Sequence, residues 1–382
     1  MSSKLSTARR RNAPNAPAIS PEMVHASFHP PVTPPTGNAT PRSTLGSPLS
    51  SHAVRLRSLA GDLAAGNRRR NSLSEVELLP WFCCMAPALS LISLYGTIIV
   101  TSLFFSWSFY VLTAGLTFLT MAWISNLAFS SLLGAYKLRR GCDVDWHAKL
   151  EQIQADDPCN NDFMHIVLLP NYKENEAMLG ETLDNLGRSP LASTRMRIVL
   201  AMEAREGPPG REKALRLIQK KASLFADIFA TFHPADIVGE VAGKSSNTQW
   251  GFREALRHYG PILLGCDPSK VFVTVGDADT LWHPQYFSAL TYNALMMPLE
   301  LRCWRIWQPP ILLLRNIFTV PAMTRASAHA TLIFELAALA NQYFFPALAY
   351  SAYTLTIALA SHPEVDGWDV DVIAEDHHMF CK

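Results

Sequence analysis

From Leu78 to Tyr136 the chain carries no charged side chain, a run of 59 residues. A membrane-spanning helix needs about 20 consecutive apolar residues, so this run is long enough for two. The polar Ser106-Trp107-Ser108 predicts a tight turn between spans at Ala86–Phe105 and Phe109–Leu133. Arg68, Arg69 and Arg70 precede the pair, and Lys137, Arg139 and Arg140 follow it, while the turn has no Lys or Arg. The positive-inside rule then places both ends of the hairpin in the cytosol. The run begins too late and is too long for a cleavable signal peptide. The composition agrees with a membrane anchor: 49% hydrophobic and only 17% charged. A net charge of +1 gives no reason to invoke nucleic acid.

Residues 1–77 read as a disordered tail, dominated by Pro, Ser, Ala and Asn and lacking apolar periodicity. Within it Val54 to Leu63 is expected to form a short helix. The arginine clusters at Arg9–Arg11 and Arg68–Arg70, with few acids, suit a solvated cytosolic tail or, alternatively, an organelle transit peptide. The seven cysteines show neither metal nor disulfide spacing and read as reduced thiols. Cys83-Cys84 reads as a pair of small apolar residues or as an acylation site.

After the hairpin (78–140) and a polar connector, Gly141–Asp162, strand and helix patterns alternate. Strands are expected at His165–Leu169, ended by Pro170, and at Arg197–Met202, Ile228–Phe232 and Val271–Val275. Helices are expected at Ala177–Leu186, Arg211–Ala226 and Ser245–Tyr259. That order predicts an α/β domain over 160–382, a mostly parallel sheet flanked by helices. Arg302–Gln308 reads as a further strand, stopped by Pro309-Pro310. Leu336 to Ser361 is again free of charge, for 26 residues. Asn341, Gln342 and Pro346 interrupt it, and one more span would part Asp376 from Asp277 across the membrane. It is expected to form helices packed on the sheet or lying at the bilayer interface.

The chemistry gathers at strand ends. Val271–Val275 breaks at Gly276 and delivers Asp277 and Asp279, where open α/β sheets bind ligands. Such an Asp-x-Asp can hold a divalent cation on a nucleotide diphosphate; alternatively it is a solvated turn, with Asp279 capping a helix from about Trp282. Glu174 and Glu203 follow two other strands and would converge on the same sheet edge. Lys244, just before a helix, is a cation for phosphate or a solvated side chain.

Four stretches in order resemble the family 2 glycosyltransferases of GT-A fold, the branch of the cellulose, hyaluronan and chitin synthases. Leu169-Pro170-Asn171-Tyr172-Lys173-Glu174 looks like the family's opening P-x-Y-N-E, with Lys173 in place of the usual Asn. Gly243-Lys244-Ser245-Ser246-Asn247 looks like its G-K-x-x-x-N segment, Asp277-Ala278-Asp279 like its D-x-D, and Glu375-Asp376 like its E-D pair. The resemblance covers about His165 to Lys382. It implies inverting transfer of a sugar from a nucleotide-sugar donor, with UDP as the default nucleotide, to a glycan or lipid-linked acceptor at a plasma or Golgi membrane. It implies Mn2+ or Mg2+ held by Asp277 and Asp279, with Asp376 as the base. Pro170, Tyr172, Glu174, Glu203, Lys244, Asn247 and Asp277 would line the donor site. The chain departs from the pattern in having Glu203 where an Asp is usual, and in lacking a Q-x-x-R-W segment, so the catalytic domain is expected to be truncated. Two other classes share parts of this pattern. A membrane scaffold would keep the fold without catalysis. A metal-dependent hydrolase or nucleotidyltransferase would need Asp277 and Asp279 but no base at Asp376.

Overall fold

The computed structural model describes residues 78–382 except Ala347, with side chains from Met85 onward. All described residues belong to one compact unit. The tail, the Val54–Leu63 helix and the Cys83-Cys84 side chains lie outside the described residues.

Helices α1 (Leu78–Phe104) and α2 (Ser106–Cys142) are separated by Phe105 alone. The break therefore falls one residue before the expected turn. Both helices are long and apolar enough to cross a membrane by length and composition. Their large apolar side chains, among them Leu103, Phe118 and Leu132, face outward. Nothing in Tyr136–Gly141 stops a helix, so α2 runs nine residues past the expected span end and ends on two arginines, which suit a helix C-terminus. The polar connector contains a helix of its own. Asp145 accepts the backbone N–H of Ala148 and starts α3 (Trp146–Asp156).

The α/β domain follows as β1 (Met164–Asn171), α4 (Glu176–Leu186), a turn of helix α5 (Ala192–Arg195), β2 (Met196–Glu203), α6 (Pro208–Lys221), β3 (Asp227–His233), α7 (Lys244–Leu263) and β4 (Val271–Val275). Then come α8 (Tyr286–Leu295), α9 (Leu299–Cys303), β5 (Ile306–Trp307), α10 (Ala322–Ala340), β6 (Tyr353–Thr356), α11 (Ile357–Ala360) and α12 (Glu375–Cys381). The six strands form one mixed, mostly parallel sheet in the order β3-β2-β1-β4-β6-β5. The first four are parallel, while β6 pairs antiparallel with both β4 and β5. The expected α/β class, a mostly parallel sheet flanked by helices behind a pair of apolar helices, is what the chain adopts.

Two apolar layers cover the sheet. On one face α3, α4, α6 and α8 pack on Val167, Leu169, Ile198, Leu200 and Phe272. On the other, α7 and α11 pack with Trp368 on Ile166, Leu168, Val199 and Val273. Parallel strands buried on both faces read as continuous apolar runs, which is why β1, β2 and β4 stood out in the sequence; β3, at the sheet edge, is only partly buried.

Four expectations need correction. Pro170 does not end β1; it pairs with Ala201 inside the strand. Leu168 turns its carbonyl to Gly276 N at 3.1 Å, and residue 170 shares that side of the strand. Its missing N–H points past the end of β4, so no ladder bond is lost. The Arg302–Gln308 strand is only Ile306–Trp307. Arg302 instead donates from Nε to Ala294 O and from Nη2 to Leu295 O and Met297 O, which folds its segment into α9. Leu336–Ser361 is not all helix; it contains β6, fully buried beside β4. The helix that the alternative reading of Asp279 placed near Trp282 starts at Tyr286, with Gln285 rather than Asp279 at its cap.

Candidate functional site

The chain leaves β1 toward β2 on one side and later returns to β4 on the other, so the order reverses between β1 and β4. A crevice opens beyond the carboxyl ends of strands at such a point. Here it is a cleft of about 410 Å³.

One wall is the turn after β4. Gly276 is required there because the Trp282 ring lies against it: an added Cβ would meet Trp282 Cζ2 at 2.5 Å. Helix α4 then fixes the turn through Thr182 Oγ1 donating to Ala278 O at 2.8 Å, and Asn185 pairing with both backbone groups of Trp282. Arg315 donates to Asp279 O at 2.5 Å from outside. So braced, the turn lines the cleft with Asp277 and the more exposed Asp279.

The end of β1 supplies Pro170, Tyr172 and Glu174, and the end of β2 supplies Glu203 and Arg205. The Arg205 guanidinium lies 4.1 Å from the centre of the Tyr172 ring. The buried Glu203 carboxylate takes Arg205 at 3.2 Å and His233 at 3.4 Å, both on Oε2. His233 also meets Glu240 at 2.9 Å. Burial would pull the His233 imidazole down, but Glu203 and Glu240 outweigh it and hold its pKa above the ordinary value.

Helix α7 points its N-terminus into the cleft with Lys244 in its first turn. Lys244 Nζ bridges two acids, 2.6 Å from Asp277 Oδ1 and 2.7 Å from Glu375 Oε1. Burial opposes its charge, yet Glu375 and Asp277 raise its pKa. The Glu375 carboxyl is itself pushed up by burial, with Lys244 working against that rise. One turn further, Asn247 donates to Ala201 O at 2.7 Å. Two buried acceptors in the lining, Asn171 Oδ1 and Asn247 Oδ1, have no hydrogen-bond partner.

Eight of the residues singled out in the sequence thus line one cleft: Pro170, Tyr172, Glu174, Glu203, Lys244, Asn247, Asp277 and Asp279. The ninth, Asp376, is half-buried outside that lining and accepts Ser351 N–H at 3.0 Å. Its neighbour Glu375 is the acid in contact with Lys244, a role the sequence did not separate from that of Asp376. The segment before it is stitched to α7. Gln249 accepts Trp368 N–H at 2.9 Å and donates to Asp366 O at 2.9 Å, and Ser245 donates to Asp369 O. Asn171 and Arg205 were also missed; Asn171 lay inside a recognised motif, whereas nothing in sequence marked Arg205.

Asp277 and Asp279 are hard oxygen donors facing one cleft. They can supply part of the shell of a small divalent cation, with substrate oxygens completing it. Among the described residues no group of three or more His, Cys, Asp or Glu forms a complete protein cage.

No family model matches the chain. No curated protein matches it. Among solved structures, the mannosyltransferase PcManGT from Pyrobaculum calidifontis, in complex with GDP-Man and Mn2+, is similar over 68% of this chain and 61% of its own, at 16% identity and a TM-score of 0.35. The chain therefore spans less than two thirds of that protein's length.

Proposed function

We propose that the chain is a membrane-anchored, metal-dependent glycosyltransferase. It would move a sugar from a nucleotide-sugar donor to a hydroxyl acceptor with inversion. The observation that carries this reading is the convergence of acids from three strand ends, and of Lys244 from a helix start, on one cleft at the switch point of the sheet. An open α/β sheet binds nucleotide ligands at that point. The α7 N-terminus and Lys244 suit the phosphates, and the Tyr172–Arg205 ledge with Glu203 suits a nucleoside. Asp277 and Asp279 would hold Mn2+ or Mg2+ on the diphosphate, where the ion stabilises the charge of the leaving group. Lys244 would turn from Asp277 to the phosphates as they arrive. Asp376 would take the proton of the acceptor hydroxyl as its oxygen attacks the anomeric carbon. Ser351 N–H fixes one oxygen of that carboxylate. The α1–α2 hairpin would anchor this domain, 160–382, on the cytosolic side.

The test is a titration of the detergent-solubilised protein with UDP and GDP, with and without Mn2+ or Mg2+, following thermal stability. A ligand that binds only the native state raises the midpoint by mass action. The expected result is a rise with nucleotide plus metal, absent with either alone and absent in Asp277→Asn. A folded sample whose midpoint moves with neither nucleotide overturns the reading.

A further inference from the structure

We propose that the loop between α10 and β6 is seated in the bilayer leaflet on the side of the α/β domain. Its aromatic tip would form a third membrane contact beside the α1–α2 hairpin. The inference rests on the reading of that hairpin as membrane-spanning.

The loop is built onto α2. Asn341 Nδ2 lies 3.4 Å from both Asn126 Oδ1 and Ser130 Oγ. The Phe345 ring is 6.4 Å from that of Trp123, and Leu127 packs against Ala337, Ala338 and Phe345. All four α2 residues precede Lys137, the first charge on that helix. At a rise of 1.5 Å per residue, Ser130 lies about 10 Å and Trp123 about 20 Å along the axis from Lys137. Lys137, Arg139 and Arg140 mark the headgroup level, so the loop lies alongside hydrocarbon-level residues of α2. Lys137 itself reaches Leu339 O and Ala340 O at 3.4 Å. It thereby caps the carbonyl end of α10, as a lysine suits a helix C-terminus.

What the loop presents outward fits that depth. Tyr343 is 91%, Phe344 64% and Leu348 47% exposed. No charge occurs from Leu336 to Ser361. Phe344 and Leu348 suit acyl chains, and Tyr is enriched at the headgroup boundary above them. The polar Asn341 is matched by Asn126 and Ser130, as polar side chains between membrane-level segments must be. Three residues beyond Leu348, Ser351 N–H holds Asp376, so the loop leads from the leaflet to the candidate base.

The test places the fluorophore NBD at single cysteines, Phe344→Cys, Leu119→Cys and Val238→Cys. Each sits in the full chain freed of its native cysteines and reconstituted in phosphatidylcholine vesicles. Leu119 is an outward-facing residue of α2, and Val238 is a 98% exposed residue of the loop before α7. The expected result is several-fold stronger quenching of labels 344 and 119 by doxyl lipids than by aqueous iodide, and the reverse at 238. If 119 is quenched by lipid while 344 answers to iodide, the loop is in water; the inference fails and the hairpin stands. If 119 answers to iodide, the hairpin reading fails and takes the inference with it. Should the cysteine-free background not fold, benzoylphenylalanine at 344 in the otherwise unaltered chain decides: crosslinks to phospholipid support the inference, and their absence overturns it.

Discussion

Lys244 Nζ sits 2.6 Å from Asp277 Oδ1 and thereby occupies the carboxylate that the proposed reaction assigns to a metal ion. A cation alone must displace the ammonium; a cation arriving with a diphosphate gives the ammonium a new partner. Lys244→Met is therefore expected to tighten binding of bare Mn2+ while weakening UDP or GDP in the presence of Mn2+. The pair is about one third exposed. A pair of this kind is worth about 1 kcal/mol, so each change should be roughly fivefold. Titrating free Mn2+ by electron paramagnetic resonance checks the first, and calorimetry with nucleotide the second. Unchanged Mn2+ affinity in the variant would sink the placeholder role.

Lys173 adopts φ 60°, in the left-handed region that favours Gly and Asn. Its own N–H donates to Glu206 Oε2 at 3.2 Å, which needs the backbone and not the lysine side chain. Where the family it resembles has Asn, this chain strains a lysine. Lys173→Asn should raise stability by up to about 1 kcal/mol. A shift of the urea midpoint to higher concentration would bear this out, and a fall would count against it.

Three strands of the parallel core, β1, β2 and β4, were legible because they are buried on both faces and so show as unbroken apolar runs, while the edge strand β3 is only partly buried. The cleft was legible for a related reason: strand ends in such a sheet are ligand positions, and Glu174, Glu203, Asp277 and Asp279 sit at strand ends. What escaped depends on partners far along the chain. Tyr353–Thr356 is only four residues long and becomes a strand because β4 offers its free edge. Arg302 reads as strand but is captured by three carbonyls around the end of α8. Glu375 and Asp376 are adjacent, and only the path from Gln249 through Trp368 decides which of them reaches Lys244.

Gly134 on α2 lies tight against α10: a Cβ there would overlap Leu336 O. A backbone oxygen cannot swing away as a side chain can, so Gly134→Ala must push the helices apart. The expected cost is about 1–3 kcal/mol, with faster proteolysis of the loop after α10 as that seam opens. Gly141, two turns on in the same helix, has nothing within 4 Å of its Cβ position. Gly141→Ala is expected to be neutral or to stabilise by about 0.5–1 kcal/mol through helix propensity. Equal effects of the two substitutions on midpoint and cleavage rate would mean that the close approach is not real.

His165 lies fully buried in β1, stacked on Phe272 with centroids 5.2 Å apart and meeting Thr291 Oγ1 at 2.8 Å. Thr291 gives its own proton to Phe287 O, so the imidazole donates from Nε2, and Nδ1 has no partner. Burial lowers the pKa of this group from 6.5 to about 3. Between those values the unfolded chain holds a proton that the folded chain refuses. The contribution is complete above pH 6.5 and is lost as pH falls toward 3, at about 1.4 kcal/mol per unit. At pH 5 the loss should be about 2 kcal/mol relative to pH 7. His165→Phe keeps an aromatic ring beside Phe272 and leaves the Thr291 hydroxyl bonded to Phe287 O. Its absolute stability can move either way, but its dependence on pH between 5 and 7 should be flatter than that of the parent by that amount. Urea midpoints of both proteins at pH 5, 6 and 7 measure the difference, in which every other titrating group cancels. Parallel profiles would show that the imidazole is not held neutral by the core.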